Sequence, residues 1–271
     1  MQTCILSRRT SKGLAASFPA LKAHVALRKV AQWRARHDLS NRPVLWRALQ
    51  QYLQQTKSTG CSLTDYWQLY HEIRVEAPTE VLECGTGVST LVIAHALMEN
   101  ERETGRRGRV TSMDESADWM EMARRLLPAE YETYVDFCLS DTVEAGFSLF
   151  RGVRYRNVPA RPYDFVFVDG PSYVTPSDGV ATSDLDFLHV LASAARPVAG
   201  LVDKRVSTCF VLQQVVGVDK VRYSPVLHLG FISPCTSRDL GELERKLSSL
   251  NFEDSFRPLG HSRLFMSPLL R

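Results

Sequence analysis

One ten-residue stretch limits the folds open to this chain, and it reads Val-Leu-Glu-Cys-Gly-Thr-Gly-Val-Ser-Thr at positions 81–90. It begins as an apolar strand, passes through a turn with two glycines and continues as the start of an apolar helix. Such a turn lets the backbone approach a nucleotide closely, and the free N–H groups at the helix start can bind it. The stretch therefore predicts a nucleotide-cofactor site in an α/β fold.

Short apolar segments alternate with helical segments from position 78 onwards. This alternation predicts a doubly wound, mostly parallel sheet of seven strands, with helices on both faces. The strands are predicted at 80–84, 109–113, 134–139, 164–168, 198–202, 220–226 and 262–266. A long helix is predicted at 237–250, before the last strand, and an inserted hairpin at 151–158.

The N-terminal part is predicted to be irregular over 1–18 and helical over 21–36, 43–55 and 63–74. We therefore divide the chain into a basic N-terminal helical extension, 1–75, and a cofactor-binding domain, 76–271. Residues 1–50 contain ten lysines and arginines against a single acid, Asp38, which is a net charge of about +9. Three interpretations stay open: a solvated helix face, an arm that binds nucleic acid or an anionic surface, and a transit peptide.

Composition places the chain among ordinary globular proteins. Its overall net charge of +3 is too small to indicate nucleic-acid binding by itself. The sequence contains no apolar run of about 18 residues, so it predicts no transmembrane helix. Six cysteines without C-x-x-C spacing predict a reducing compartment and no zinc site. We therefore expect a cytoplasmic protein.

Each of the first five predicted strands ends in an acid. Ligands of an open α/β sheet sit beyond the carboxyl ends of its strands. One such acid is common at turns and helix caps, whereas five in register predict a ring of negative charge that suits a cationic ligand. The acids are Glu83, Asp114 with Glu115, Asp141, Asp169 and Asp203.

The acid-x-Gly-x-Gly pattern of Glu83, Gly85 and Gly87 resembles motif I of the class I S-adenosylmethionine (SAM) methyltransferases. The resemblance covers about 78–205 and implies SAM, a sulfonium that also carries an ammonium, as the cofactor. It also implies that the last strand is antiparallel. The cofactor-binding residues that it implies are Glu83, Gly85, Thr86, Gly87, Ser89, Asp114, Glu115, Asp141, Thr142 and Asp169.

The same resemblance implies a role for several of these residues. Glu83 would meet the amine of SAM, and Asp114 would accept the ribose hydroxyls. Asp141, with Thr142 after it, would lie near the adenine amino group. Asp169 would face the methionine end of the cofactor and the substrate.

Methyl transfer from a sulfonium is a direct displacement, so the enzyme must align the acceptor and remove its proton. Asp169, Asp203 and Lys204 are the candidate catalytic residues, as a base or as orienting groups. Metal-dependent catechol-type methyltransferases place Asn where Lys204 stands. Because a charged ammonium does not ligate magnesium, we expect no metal here. Arg205 is a candidate for binding an anionic substrate group.

The predicted function is methyl transfer from SAM to an oxygen of a small or sugar-like molecule. One alternative is a non-catalytic protein of the same fold that acts as a scaffold through its basic N-terminal helices. The other is a nucleotide-cofactor oxidoreductase. The dinucleotide fingerprint requires glycine where Thr90 stands, which argues against that last alternative. The acceptor and the oligomeric state are not predicted.

Overall fold

The structure is a computed structural model that describes residues 10–56 and 61–241, and of 10–22 and Gly241 only the backbone. None of the described helices is both long enough and apolar enough to span a bilayer. The cellular location stays a prediction.

The helices are α1 (Thr10–Ser40), α2 (Pro43–Gln55), α3 (Leu63–Glu76), α4 (Val88–Thr104), α5 (Ala117–Leu126), a 3-10 helix (Ala129–Tyr134), α6 (Asp186–Ser193), α7 (Val206–Val215) and α8 (Ser237–Gly241).

Seven of the strands form one sheet in the order β3-β2-β1-β6-β7-β9-β8. Strand β9 runs antiparallel to both of its neighbours, and the other neighbouring strands are parallel. This confirms the predicted doubly wound, mostly parallel fold. The strands are β1 (Glu80–Cys84), β2 (Arg109–Asp114), β3 (Val135–Leu139), β4 (Thr142–Phe147), β5 (Phe150–Tyr155), β6 (Phe165–Val168), β7 (Val198–Asp203), β8 (Val221–Ser224) and β9 (Leu229–Cys235).

The antiparallel strand of the described sheet lies at a position that the sequence did not predict. It is β9, which forms a hairpin with β8, whereas the segment predicted for it, 262–266, lies outside the described residues. Gly230 and Pro234 interrupt the strand pattern, and both residues lower strand propensity. Tertiary packing requires glycine at position 230, because a Cβ there would collide with the Cys209 thiol of α7.

Three other boundaries differ from the prediction. Helix α1 begins at Thr10, inside the segment predicted to be irregular, and residues 1–9 lie outside the described residues. The predicted hairpin is longer and consists of β4 and β5. The sequence predicts a helix at 89–98 and a charged loop at 101–109, whereas helix α4 continues to Thr104. Contacts with other elements hold this last turn, since the Asn100 amide donates to the Ile73 carbonyl and Tyr134 donates to Glu101.

The two faces of the sheet carry separate hydrophobic cores. Successive strand residues point to opposite faces, so alternate side chains enter alternate cores. Helices α1 to α4 cover one face and helices α6 and α7 the other. The first core receives Val81, Phe165, Phe167 and Leu201, and the second receives Leu82, Val166, Val168 and Val202.

The N-terminal helices share the first core with the sheet. Leu45 and Leu49 of α2 and Leu69 of α3 are fully buried in the cluster that also contains Val81 of β1. Helix α3 packs along α4 and α1 packs on α3. The division of the chain at 75/76 stays a prediction, and the packing joins both sides of it in one hydrophobic cluster.

We predict that Leu49→Ala lowers the free energy of unfolding by about 2–5 kcal/mol, because it leaves a cavity in this shared core. Val44→Ala on the same helix is the matched control, since Val44 is 54% exposed. Chemical denaturation followed by circular dichroism gives both values. If the extension and the sheet unfold in two separate transitions, the shared core does not fold as one unit.

Candidate active site

The turn after β1 crosses the turn after β6 in direct backbone contact. These strands are neighbours where the strand order reverses, which is where an open α/β sheet forms its ligand crevice. Gly85 has a φ of +94°, and a Cβ on it would lie 2.8 Å from the Gly170 nitrogen. A Cβ on Gly170 would lie 2.7 Å from the Gly85 Cα. Both residues are therefore glycines because the two backbones touch.

Gly87 has a different environment. It precedes α4 with extended backbone, and no described atom lies within 4 Å of a Cβ built on it. Packing within the described protein therefore does not require glycine at this position. The free space adjoins the start of α4, whose N–H groups and positive dipole end favour acceptor groups and negative charge.

Glu83 lies beneath this turn in a buried hydroxyl network. Its Oε2 accepts hydrogen bonds from the Thr90 and Ser112 hydroxyls, both at 2.6 Å. Burial raises the pKa of Glu83 to about 7, although the hydroxyls of Ser112, Ser89 and Thr90 lower it. Thr90 also accepts the Gly87 N–H at 3.1 Å, so it connects strand, turn and helix. In the sequence, Thr90 serves only as evidence against a dinucleotide site, and its hydrogen bonds to Glu83 and Gly87 are not predicted.

The acids after β2 hold neighbouring loops. Asp114 accepts the backbone N–H groups of Thr86 at 3.0 Å and Ser116 at 2.8 Å. Burial raises the pKa of Asp114, and these two bonds oppose that rise. Glu115 accepts the backbone N–H of Ser172 at 2.9 Å, which ties β2 to the loop after β6. The predicted contacts of both acids with SAM stay predictions.

The remaining predicted cofactor residues are placed less uniformly. Ser89 is buried at the start of α4. Asp141 is exposed beyond β3, where its carbonyl accepts the Arg156 N–H, and Thr142 begins the β4–β5 hairpin. Asp141 and Thr142 therefore lie beside an outer strand of the sheet, away from the central β1–β6 crossing.

The three predicted catalytic residues do come together, beyond β6 and β7. Two residues that the sequence did not predict join them from the N-terminal extension. Cys61 donates to Asp169 Oδ2 at 3.2 Å and lies 3.7 Å from Asp203 Oδ2. Lys204 Nζ lies 3.5 Å from Asp65 Oδ2 and 3.6 Å from Asp203 Oδ2. We call these five residues the carboxylate cluster.

Burial and the neighbouring charges shift the pKa of several members of this cluster. Burial raises the pKa of Asp203 to about 8, and the charges of Asp169 and Asp65 add to the effect while Lys204 opposes it. Burial also raises the pKa of Asp65 and of the Cys61 thiol. Burial lowers the pKa of Lys204, but the surrounding acids outweigh it and the net change is upward. The cluster therefore holds a carboxyl proton near neutral pH.

Arg205 fixes the loop that carries Asp169. Its guanidinium donates to the backbone carbonyls of Asp169 and Pro171, and it lies over the Tyr173 ring, 5.2 Å from the centroid. The sequence suggested that Arg205 binds an anionic substrate group. In the structure two of its N–H groups hold the backbone instead, so this suggestion loses support.

One local signal could have found the missed part of the cluster. Ser62-x-x-Asp65 is a capping-box pattern, and the Ser62 N–H donates to Asp65 Oδ2 at 2.5 Å at the start of α3. The pattern predicts the helix start. It does not predict that this start lies beside the ends of β6 and β7.

Comparison with known proteins finds a similarity to one family in the central part of the chain. Residues 82–197 match the family model described as a methyltransferase domain. This match confirms the resemblance to methyltransferases that the sequence indicated. It gives no support to the oxidoreductase alternative. No curated protein sequence is similar enough to this chain to count as a relative.

Several solved structures are similar to the chain at low identity. The O-methyltransferase TomG from Streptomyces achromogenes, solved with SAM, is 18% identical over 75% of this chain and 77% of its own, with a TM-score of 0.39. An O-methyltransferase from Bacillus cereus, solved with S-adenosylhomocysteine, is 18% identical over 76% and 78%, with a TM-score of 0.41. A putative caffeoyl-CoA O-methyltransferase from Staphylococcus aureus is 16% identical over 82% and 88%, also at 0.41.

We predict that Gly170→Ala destabilises the protein by about 1–3 kcal/mol, because its Cβ would collide with the Gly85 backbone. The control is Gly146→Ala, whose nearest atom would be 3.9 Å away. Thermal unfolding of both variants decides the point. Equal stability of the two variants would contradict the crossing.

Proposed function

We propose that this chain, whose residues 82–197 match a methyltransferase domain, transfers a methyl group from SAM to a hydroxyl oxygen of a small or sugar-like molecule. The observation that carries the proposal is the carboxylate cluster. The cluster lies beyond the carboxyl ends of the central strands, where the turn of Gly85 touches the loop of Gly170. Asp169, a member of the cluster, directly precedes Gly170. A proton-accepting group therefore adjoins the turn on which the cofactor would bind.

The residues around the β1 turn fit the cofactor. The open space beside Gly87 and the N–H groups at the start of α4 would receive part of SAM. Glu83, Asp114 and the cluster supply negative charge for a ligand that carries a sulfonium and an ammonium. When bound, SAM supplies an electrophilic methyl group, and the chain must orient the acceptor and take its proton.

Asp169 is the residue proposed to receive that proton. It is half-buried, whereas Asp203 behind it is only 2% exposed. Burial and the neighbouring acids raise the pKa of Asp203 to about 8, so near neutral pH Asp203 keeps its own proton and does not compete for the proton of the acceptor hydroxyl. A carboxylate within hydrogen-bond reach of a hydroxyl can act as a general base.

Lys204 is proposed to supply the positive charge of this site. Cys61, Asp65 and Asp203 each bring a donor atom to within 4.8 Å of the others, a spacing that could also suit a metal ion. The Lys204 ammonium already lies 3.5–3.6 Å from two of these carboxylates and offsets part of their charge. This supports a reaction without a metal ion, as the sequence predicted.

We predict that Gly87→Leu remains folded but loses SAM binding, because its side chain would enter space that no described protein atom occupies. Isothermal calorimetry with SAM, and with S-adenosylhomocysteine as competitor, measures the loss. We expect micromolar-range binding by the wild type and at least tenfold weaker binding by the variant, about 1.4 kcal/mol. Gly146→Leu serves as the control, since Gly146 lies on the β4–β5 hairpin.

Two calorimetric results would contradict this assignment. Unchanged SAM affinity in Gly87→Leu would show that the cofactor binds elsewhere. Absence of any binding heat from the wild type would rule out SAM as the cofactor. Incubating protein and SAM with cell extract and screening for a methyl mass gain identifies the acceptor. Binding without any methyl gain would favour the non-catalytic alternative.

The pH profile of kcat/KM tests the cluster once an acceptor is found. We expect the rate to rise with pH and level off above about 8, because ionisation of Asp203 adds a negative charge that favours removal of the proton from the acceptor hydroxyl. Lys204→Met should shift the midpoint to higher pH, since the ammonium lowers the pKa of Asp203. Lys220→Met is the matched control, with its ammonium bonded to the Pro234 carbonyl.

Other outcomes would overturn the assignment of these roles. An unshifted midpoint in Lys204→Met would remove the electrostatic role of Lys204. Loss of wild-type activity on chelation, with recovery on adding a divalent cation, would show that a metal supplies the charge instead.

A further inference from the structure

Helix α1 has two sides with different chemistry. Its inner side packs on the rest of the protein through Ala31, Ala35 and Leu39, all buried. Its outer side carries Val30, 44% exposed, and Trp33, 66% exposed, although large apolar side chains usually avoid water. The outer residues Ala26, Val30, Trp33 and His37 are spaced four, three and four apart, which places them in one row along the helix.

Basic residues border this row on both sides. At 100° per residue, Lys29 and Arg36 flank it on one edge and Arg34 on the other, and all three are exposed. Trp33 stacks on His37 with ring centroids 5.8 Å apart. The only acid among residues 1–64 is Asp38. We call this row with its basic borders the outer face of α1.

We infer that the outer face of α1 docks the protein on an anionic lipid bilayer. Exposed tryptophan and valine beside lysine and arginine suit the interface of an anionic bilayer, where both kinds of side chain find partners. The apolar side chains would enter the headgroup region, while the basic residues would meet lipid phosphates. Each such basic residue contributes about 1 kcal/mol near an anionic surface, which is roughly a fivefold change in binding.

Charge separates this partner from the other candidates. The C-terminal segment 242–271 holds four acids and five basic residues, so it does not offer the opposite charge. A second copy of the chain would bring the same lysines and arginines against each other in a symmetric interface. Nucleic acid would satisfy the basic borders but would leave Val30 without an apolar partner.

The inner side of α1 connects this face to the site. The His24 ring stacks on the His228 ring with centroids 6.1 Å apart, and the His228 carbonyl accepts the Lys204 N–H at 2.9 Å. A bilayer bound to the outer face would therefore lie across one helix from the loop that positions Lys204. The docking inference does not depend on the proposed methyl transfer.

Vesicle co-sedimentation of the full chain tests the inference. We expect binding to vesicles of equal phosphatidylcholine and phosphatidylserine, weaker binding at high salt, and none to phosphatidylcholine alone. Trp33→Ala and the double variant Lys29→Glu/Arg36→Glu should each weaken binding about tenfold or more. The matched controls on α5 are Trp119→Ala, where Trp119 is 40% exposed, and Arg125→Glu, and they should bind as the wild type does.

Circular dichroism and thermal unfolding show whether each variant is folded, so loss of vesicle binding is not confused with loss of structure. Absence of vesicle binding by the folded wild type would overturn the inference, as would equal losses in the α5 controls. Binding of a short nucleic-acid duplex that Lys29→Glu/Arg36→Glu abolishes, without vesicle binding, would assign the face to nucleic acid. Self-association that Trp33→Ala abolishes, again without vesicle binding, would assign it to a second copy.

Discussion

The backbone contact between Gly85 and Gly170 determines the geometry of the whole site. It joins the turn after β1 to the loop after β6 without any side chain between them. Arg205 holds the carbonyls on both sides of Gly170, so the loop is fixed from two directions. Asp169 is therefore positioned relative to the turn after β1 by main-chain packing. The proposed methyl transfer needs such fixed alignment, because small misplacements of the acceptor lower the rate.

The carboxylate cluster depends on a balance of burial and charge. Three carboxyls close together cannot all ionise at low cost when water is excluded. The Lys204 ammonium offsets part of the charge, and the proton that Asp203 retains near neutral pH offsets a further part. Two members, Cys61 and Asp65, come from the segment before the first strand, so the N-terminal extension contributes side chains to this cluster.

Helix α1 combines a structural and an outward-facing role. Its inner side buries small side chains and contacts the loop of His228, which supports the backbone of Lys204. Its outer side leaves tryptophan and valine in contact with solvent between basic residues. The low acid content of the first 64 residues favours binding to any anionic partner. The exposed tryptophan and valine favour an anionic bilayer over nucleic acid, because a bilayer also offers apolar contacts.

The sequence by itself determined the alternation of strands and helices, the glycine turn at 85–87 and the acids at the strand ends, because each depends on a local pattern. Asp169, Asp203 and Lys204 could be placed together, since parallel strands end at one edge of a sheet. Only the tertiary structure decided that Asp65 joins them, that Gly170 touches Gly85, and that β9 is the antiparallel strand. These features are contacts between segments far apart in the chain, and local periodicity carries no information about such contacts.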